Sequence, residues 1–114
     1  MQAVPVQIIE PQAISDTLTP YYASPASKKT IISKLTFTNH GADAEAIDVH
    51  IVPSGDSATD ANKVVSAKLV DANEAWPAYQ LEGQVLKPGD AIHCKTGTAS
   101  STDIVVMGSG VEVF

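Results

Sequence analysis

Two stretches in which apolar and polar side chains alternate constrain the fold of this chain most. The first runs from Thr30 to Asn39 and the second from Ala46 to Pro53. A period of two is the period of a β-strand that buries one side and exposes the other. The polar segment His40-Gly41-Ala42-Asp43 separates the stretches, which predicts that the two strands form a hairpin.

The same alternation assigns the side chains of these two strands to faces. The predicted inward positions are Ile31, Leu35, Phe37, Ile47, Val49 and Ile51. The predicted outward positions are Thr30, Ile32, Lys34, Thr36, Thr38, Asp48, His50 and Val52. The outward set is typical of a solvated sheet face, since threonine favours strands in any case. It is equally compatible with a contact surface for another protein.

Proline marks two further strands as sheet edges. Val4, Val6 and Ile8 alternate around Pro5, and Pro77 lies in the short strand predicted from Trp76 to Leu81. Proline has no N–H to donate to a ladder, so strands that contain it are confined to edges or bulges.

The stretch from Ser57 to Ala72 fits both helical and strand spacing. The surrounding strands favour a helical turn near 57–62, with Ser57 as a candidate N-cap, and a strand near 63–70. Leu86-Lys87-Pro88-Gly89-Asp90 predicts a type II turn, because proline precedes glycine at its centre. A polar turn is predicted at 96–102.

The last strand is apolar on both sides. Ile104, Val105, Val106 and Met107 follow one another without a polar residue, which indicates a strand covered on both faces. One face of this strand is expected to pack on the core of the domain, and its other, apolar face favours burial against another subunit. Gly108 and Gly110 further predict a bulge in this strand.

The count of about eight short strands with regularly spaced turn signals predicts an all-β fold. We expect a single antiparallel β-sandwich domain over residues 1–114, jelly-roll-like, with an immunoglobulin-like sandwich as the alternative. The local pattern does not separate these two, because both arrange similar strands in a different order. A chain of 114 residues is long enough to bury one core.

Composition argues against several classes of partner. The net charge is −6, and all seven basic residues are lysine. Without arginine, the usual ligand of phosphates and guanine edges, an acidic chain is not expected to bind nucleic acid. We also expect no anionic membrane surface as a partner, no membrane span and no secretory signal. The single cysteine, Cys94, excludes an internal disulfide.

Each candidate for chemistry has a simpler structural interpretation. Gly55-Asp56-Ser57 resembles the nucleophile block of GDS-type esterases, but no matching Asp-His pair follows it, and these residues also favour turns. Asp56, Asp60 and Asn62 lack the spacing of a calcium loop. The three histidines, His40, His50 and His93, are not spaced as metal ligands. We therefore expect no catalytic, cofactor-binding or metal-binding residues, and hence no enzyme.

Five segments together resemble small β-sandwich structural proteins of tailed bacteriophages and prophages. They are Leu35-Thr36-Phe37-Thr38-Asn39, Ile47 to Gly55, Val65-Ser66-Ala67-Lys68, Leu86 to Asp90 and Met107 to Val113. In that group a Thr-x-Thr-Asn strand end, a Val-Pro-Ser-Gly segment, a Pro-Gly-Asp turn and a Ser-Gly-Val-Glu end follow one another. The resemblance extends over residues 20–113.

The resemblance implies a virion component made in the cytoplasm of a bacterial host, without catalytic residues. It implies a homo-oligomer, most often a trimer, that binds capsid protein as a decoration (cement) protein, or a tail or fibre accessory module. A carbohydrate-binding module is the alternative from another class, with Tyr21, Tyr22, Trp76 and Tyr79 as its candidate aromatics. The residues expected to contact a partner are Val4, Val6, Ile8, Ile32, Thr36, His50 and Val52. The segment from Val4 to Ile9, as an edge strand, is expected to be able to add to a partner's sheet.

Overall fold

Nine β-strands make up most of the part of the chain that the structure describes. The computed structural model describes residues 2–97 and 103–114, so the predicted turn at 96–102 lies almost wholly outside the described residues. The strands are β1 (Ala3–Ala13), β2 (Thr19–Ala23), β3 (Lys29–Asn39), β4 (Glu45–Val52), β5 (Lys63–Val70), β6 (Ala75–Pro77), β7 (Val85–Leu86), β8 (Ala91–Thr96) and β9 (Ile104–Val113). Short 3₁₀ turns at Asp60–Asn62 and Tyr79–Leu81 precede β5 and β7.

The strands form two antiparallel sheets. The five-stranded sheet has the order β1-β9-β3-β6, with β7 also paired to β3, and the four-stranded sheet has the order β2-β8-β4-β5. The first strand therefore pairs with the last, and the second with the next to last. Successive strands β1 and β2 lie in opposite sheets, whereas the first two strands of an immunoglobulin sandwich pair with each other. The antiparallel sandwich is confirmed, and its strand order is that of a jelly roll.

The predicted hairpin between β3 and β4 is wrong. β3 lies between β9 and the short strands β6 and β7, whereas β4 lies between β8 and β5 in the other sheet. Alternation showed correctly that each stretch is a strand with a buried side. It carries no information about which strand lies alongside, and the short connection at 40–44 crosses from one sheet to the other instead of turning back.

The core lies between the two sheets. Its largest fully buried side chains are Phe37, Ile9, Ile14, Ile32, Leu35, Ile47, Leu86, Ile92, Ile104, Val49, Val70 and Val106. Burying one such side chain stabilises the fold by about 1.5–3 kcal/mol relative to leaving it exposed. Cys94 is also fully buried among them, as predicted.

A bulge in β3 changes which side chains face the core. Ile32 pairs with Gly110 and Lys34 pairs with the adjacent Ser109, so Ser33 is an extra residue on β3. An extra residue shifts the period-two pattern by one position. Before the bulge the inward residue is Ile32, and the predicted inward position of Ile31 is wrong. After the bulge Leu35 and Phe37 face inward, as predicted.

The two glycines of β9 allow close packing around these irregular strands. A Cβ on Gly110 would lie 2.6 Å from the carbonyl oxygen of Ile31, and a Cβ on Gly108 would lie 3.0 Å from Cδ1 of Leu35. Ile8 of β1 also packs against both glycines. The register shifts are on β1 and β3, the two partners of β9, so the bulge predicted in β9 lies in its neighbours instead.

The segment before β8 forms the turn predicted from its proline and glycine. Gly89 has φ +86°, and the N–H of Asp90 donates to the carbonyl of Lys87 at 3.0 Å. The Asp90 carboxylate is buried, and it accepts the N–H of Lys87 at 3.0 Å and the N–H of Ser54 at 3.1 Å. This carboxylate therefore fixes both its own turn and the start of the loop between β4 and β5.

Candidate interaction surface

Five of the seven residues expected to contact a partner are buried, namely Ile8, Ile32, Thr36, His50 and Val52. Ile32 is fully buried because the bulge at Ser33 turns it inward. Ile8 packs against the β9 glycines and is 6% exposed. The predicted outward position of Ile32 is therefore wrong, and neither Ile32 nor Ile8 is accessible to a partner in this structure.

His50 and Val52 lie on the outer side of the four-stranded sheet, as alternation indicated, yet each is only 3% exposed. The 53–62 loop returns to this side of β4, and Nδ1 of His50 lies 2.9 Å from Oδ1 of Asn62. That amide oxygen can only accept, so Nδ1 of His50 carries the proton. The predicted exposure of both residues is wrong, and for His50 the cause is the 53–62 loop, which alternation cannot place.

The Asn62 side chain holds the 53–62 loop in its position. Its Oδ1 also accepts the N–H of Thr59 at 3.0 Å, and its Nδ2 donates to the carbonyl of Ser57 at 2.9 Å. Thr59, and not Ser57, is the N-cap of the 3₁₀ turn. The helical turn and the following strand of this stretch are confirmed.

His50 is paired across the strands with His93 of β8. Burial and, second, the neighbouring His50 lower the pKa of His93. Beside them Asp48 and Lys95 form an ion pair at 3.9 Å, and Lys63 of β5 lies opposite His50. Burial and the adjacent imidazole therefore favour the neutral form of His93.

The remaining predicted contacts lie on or near the five-stranded sheet. Val4 and Val6 are half-buried, and Val6 packs against the core. Thr36 is 8% exposed but lies on the outer side, where it pairs with Met107 on one side and Pro77 on the other. Thr36 thus lies on the outer side of the sheet, and its contact with a partner stays a prediction.

β1 is an edge strand, as Pro5 indicated, and Pro5 also limits what this edge can bind. Gln2 and Phe114 exchange both backbone hydrogen bonds, at 2.6 and 2.9 Å. Because hydrogen-bonded and non-hydrogen-bonded pairs alternate along an antiparallel ladder, the Pro5 nitrogen points to the free edge. A partner strand would find no N–H there, so strand addition along Val4 to Ile9 is disfavoured.

Apolar side chains cross the outer side of the five-stranded sheet in two rows. In the first row Pro5 pairs with Val111, Val111 with Ile31, and Ile31 with Val85. In the second row Met107, Thr36 and Pro77 are neighbours. We call this surface the Met107 face, and we define it by Pro5, Ile31, Thr36, Val85, Met107 and Val111. Met107 and Val85 are 46% and 45% exposed.

A shallow groove of about 450 Å³ lies within the Met107 face, above the bulges of β1 and β3. Its floor is formed by Gly108, Ser109 and Gly110 of β9, and its sides include Pro5 and Met107. The groove is lined here by the bulge residues Gln7 of β1 and Ser33 of β3, next to the outward residue Ser109. Lys34 is the charged residue of its lining.

The charge of the Met107 face differs from that of the whole chain. The outward residues of the two central strands β3 and β9 include Lys29 and Lys34 but no carboxylate. Glu112 of β9 points to the other side, where its carboxylate binds Lys28 at 3.2 Å and the Tyr22 hydroxyl at 3.1 Å. The charged side chains at the outward positions of β3 and β9 are therefore lysines alone, in a chain whose net charge is −6.

The sequence reasoning missed most of the Met107 face. One signal pointed to it, namely the uninterrupted apolar run in β9, which places Val105 and Met107 on the side away from the core. The rows themselves join residues from four strands that are far apart in sequence. Such neighbours follow from strand order and register, which local alternation does not contain.

The residues considered for chemistry do not converge. Within residues 2–97 and 103–114, no group of three or more His, Cys, Asp or Glu side chains is placed to hold a metal ion. Asp60 points into solvent and is 3.6 Å from Lys63, while the Asn62 amide is engaged by His50 and the loop backbone. Burial raises the pKa of the Cys94 thiol, which favours its unreactive protonated form.

Three of the four aromatic residues considered for sugar binding have structural contacts. Trp76 stacks on Phe37 with ring centroids 6.1 Å apart, and the Lys68 amine lies 5.3 Å from its ring centre. The Tyr22 hydroxyl lies 2.8 Å from that of Thr30, and the Tyr21 hydroxyl accepts a backbone N–H from Ser15. Tyr79, 70% exposed, is the exception among the four. A flat platform of several exposed rings is not formed by these residues.

No helix in the described part of the chain has the length and apolar composition to cross a bilayer. No protein-family model matches the sequence, and no curated protein matches it either.

The fold does have a likeness among solved structures. A chain in the structure of infectious bursal disease virus, Gx strain, superposes with a TM-score of 0.51 over 98% of this chain, at 11% sequence identity. This chain spans 33% of the length of that viral chain. At this level of identity the likeness concerns the fold, and what it shows is that the sandwich of this chain is similar to part of a chain found in a virus structure.

Proposed function

We propose that this chain is a non-enzymatic structural protein of a virus particle, and specifically a decoration (cement) protein of a tailed phage that assembles as a symmetric oligomer on the capsid. The observation that carries the proposal is the broad Met107 face, which crosses four strands of a complete jelly roll and exposes apolar side chains at its centre. Exposed apolar patches on small soluble domains mark sites of protein contact.

Three further observations support the proposal. The jelly roll is a fold that capsid proteins use, although lectins and cupins use it as well. The sequence resembles small structural proteins of tailed phages over residues 20–113, and the fold is similar to part of a chain in a virus structure. Cys94 is buried, and within the described residues no group of three or more His, Cys, Asp or Glu side chains is placed to hold a metal ion.

The experiment that tests this function starts from particles made by the genome that encodes the chain. Particles are purified on a density gradient, separated into heads and tails, and quantified by mass spectrometry. We expect many copies of the chain on the heads, in a fixed ratio to the capsid protein. Copies confined to tails would favour the tail accessory function, and absence from particles while the chain accumulates in the lysate would contradict the proposal.

The oligomeric state is tested separately on the purified protein. Light scattering behind a sizing column is expected to give a mass of about three times 11.9 kDa. A carbohydrate-binding module is the second candidate, and the exposed Tyr79 is the observation in its favour. Glycan binding that is lost in Tyr79→Ala, with normal folding, would support that candidate.

A further inference from the structure

We propose that the Met107 face is the surface by which the chain docks on its partner in the particle, and that the matching patch of that partner is apolar and bears carboxylates. This inference rests on the proposed function and adds the location and chemistry of the contact. Two alternative routes of docking are less favourable. Pro5 removes a donor from the free edge of β1, and on the other sheet the loop at 53–62 covers His50, while Val52 is also buried.

The apolar part of the argument rests on the arrangement of the two rows. Met107 and Val85, nearly half exposed, lie on one face of the five-stranded sheet. The exposed Val64 and Leu69 lie on β5 of the other sheet, and Phe114 follows the end of β9. Single exposed apolar residues are ordinary on any protein surface. A row of four apolar residues across four strands, next to a second row, is the pattern of a contact surface.

The charge of the face selects the partner. Lys34 lies between the two rows, opposite Ser109, and Lys29 lies beyond the first row. The outward positions of β3 and β9 carry no carboxylate to neutralise them, and Glu10 of β1 lies outside the groove lining. A partner with carboxylates near Lys34 would complement the face, and complementary charge speeds association and fixes orientation.

The same charges argue against a second copy as the occupant. A twofold contact uses the same patch on both subunits. It would therefore bring two faces together that each carry Lys29 and Lys34 without a carboxylate on the two central strands. Like charges across an interface reduce its stability. This argues against a twofold self-contact through the face, and we assign the face to a different protein; a head-to-tail contact with a second copy is an outcome that the test below detects.

The test measures binding of purified variants to heads isolated from a lysate in which the gene of this chain is deleted. Met107→Ser and Lys34→Glu are the main variants, and Val85→Ser is an independent change on the same face. Leu69→Ser is the matched apolar control, since Leu69 is 54% exposed on the other sheet, and Lys87→Glu is the matched charge control in an exposed turn. Each variant is first checked for wild-type thermal unfolding.

We expect Met107→Ser, Val85→Ser and Lys34→Glu each to weaken binding about tenfold, and the two controls to stay within about twofold. The defect of Lys34→Glu should shrink when the salt is raised from about 0.05 to about 0.5 M, because salt screens exposed charges.

The alternative outcomes separate the inference from the function. If wild-type protein binds the heads and all three variants bind equally well, the docking face is refuted and the decoration function stands. If only Lys34→Glu binds normally, the acidic partner is refuted. If Met107→Ser reduces the mass in solution, a second copy occupies the face and the inference fails. If wild-type protein does not bind heads, the decoration function itself fails.

Discussion

The close approach of β9 to β3 at Gly110 gives the sharpest test of the fold. In Gly110→Ala the new Cβ would lie 2.6 Å from the carbonyl oxygen of Ile31, where ordinary contacts begin at 3.4 Å. The obstacle is backbone of a central strand, which cannot move aside without disturbing its own ladder. Overpacking of this kind costs about 1–3 kcal/mol.

The size of the effect follows from the length of the chain. For a domain of this size, 1 kcal/mol changes the melting temperature by about 4 °C, so Gly110→Ala should melt about 4–12 °C below wild type. Thermal unfolding followed by circular dichroism at a fixed protein concentration measures this. The concentration must match between variants because oligomers melt at concentration-dependent temperatures.

Two neighbouring variants make the reasoning refutable. Gly108→Ala meets Cδ1 of Leu35 at 3.0 Å, and the end of a side chain can yield, so its loss should be smaller. Ser109→Ala changes an exposed residue between them and should lie within about 0.5 kcal/mol of wild type. A Gly110→Ala variant as stable as Ser109→Ala would contradict the described register of β9 against β3.

Three further predictions concern buried polar groups. The pKa of His93 is lowered in the folded state, so the unfolded state binds a proton more readily. The contribution of His93 to stability is fully present above the ordinary histidine pKa of about 6.5 and is lost as the pH falls below it. Urea unfolding across this range measures the slope of stability against pH, and His93→Gln should flatten that slope. The Cys94 thiol should react with a thiol reagent only when the protein unfolds, and rapid labelling of native protein would contradict its burial. Asp90→Asn replaces one accepting oxygen with an N–H donor that opposes a backbone N–H, so it should lower the free energy of unfolding by about 1–3 kcal/mol. The control Asp56→Asn, in the exposed loop, should change it very little, and chemical unfolding measures both variants.

Features of the fold that depend on single residues could be predicted from the sequence. Pro5 and Pro77 marked β1 and β6, and both are sheet edges, because the missing N–H acts whatever the neighbours are. The type II turn followed from Pro88 and Gly89 for a similar reason. The strand over 63–70 after a short helical turn was also correct.

Features that depend on which strands are neighbours could not be predicted. The hairpin between β3 and β4 failed because alternation is the same for a strand in either sheet. Ile32 was placed outward because one extra residue, Ser33, reverses the pattern, and serine in a strand gives no sign of a bulge. His50 was assigned to the exposed face because alternation within β4 does not show that the loop after this strand folds back over it.

The Met107 face shows how these two kinds of information combine. The apolar run in β9 indicated that Val105 and Met107 would need a cover on the side away from the core. The strand order then places Val111 of that strand beside Pro5 and Ile31. The glycines that admit the bulges of β1 and β3 also form the floor of the groove. The bulges of β1 and β3 therefore determine both the packing of this sheet and the shape of the groove on its outer surface. Gly110→Ala, which disturbs that packing, should weaken binding to heads as well as lower the stability.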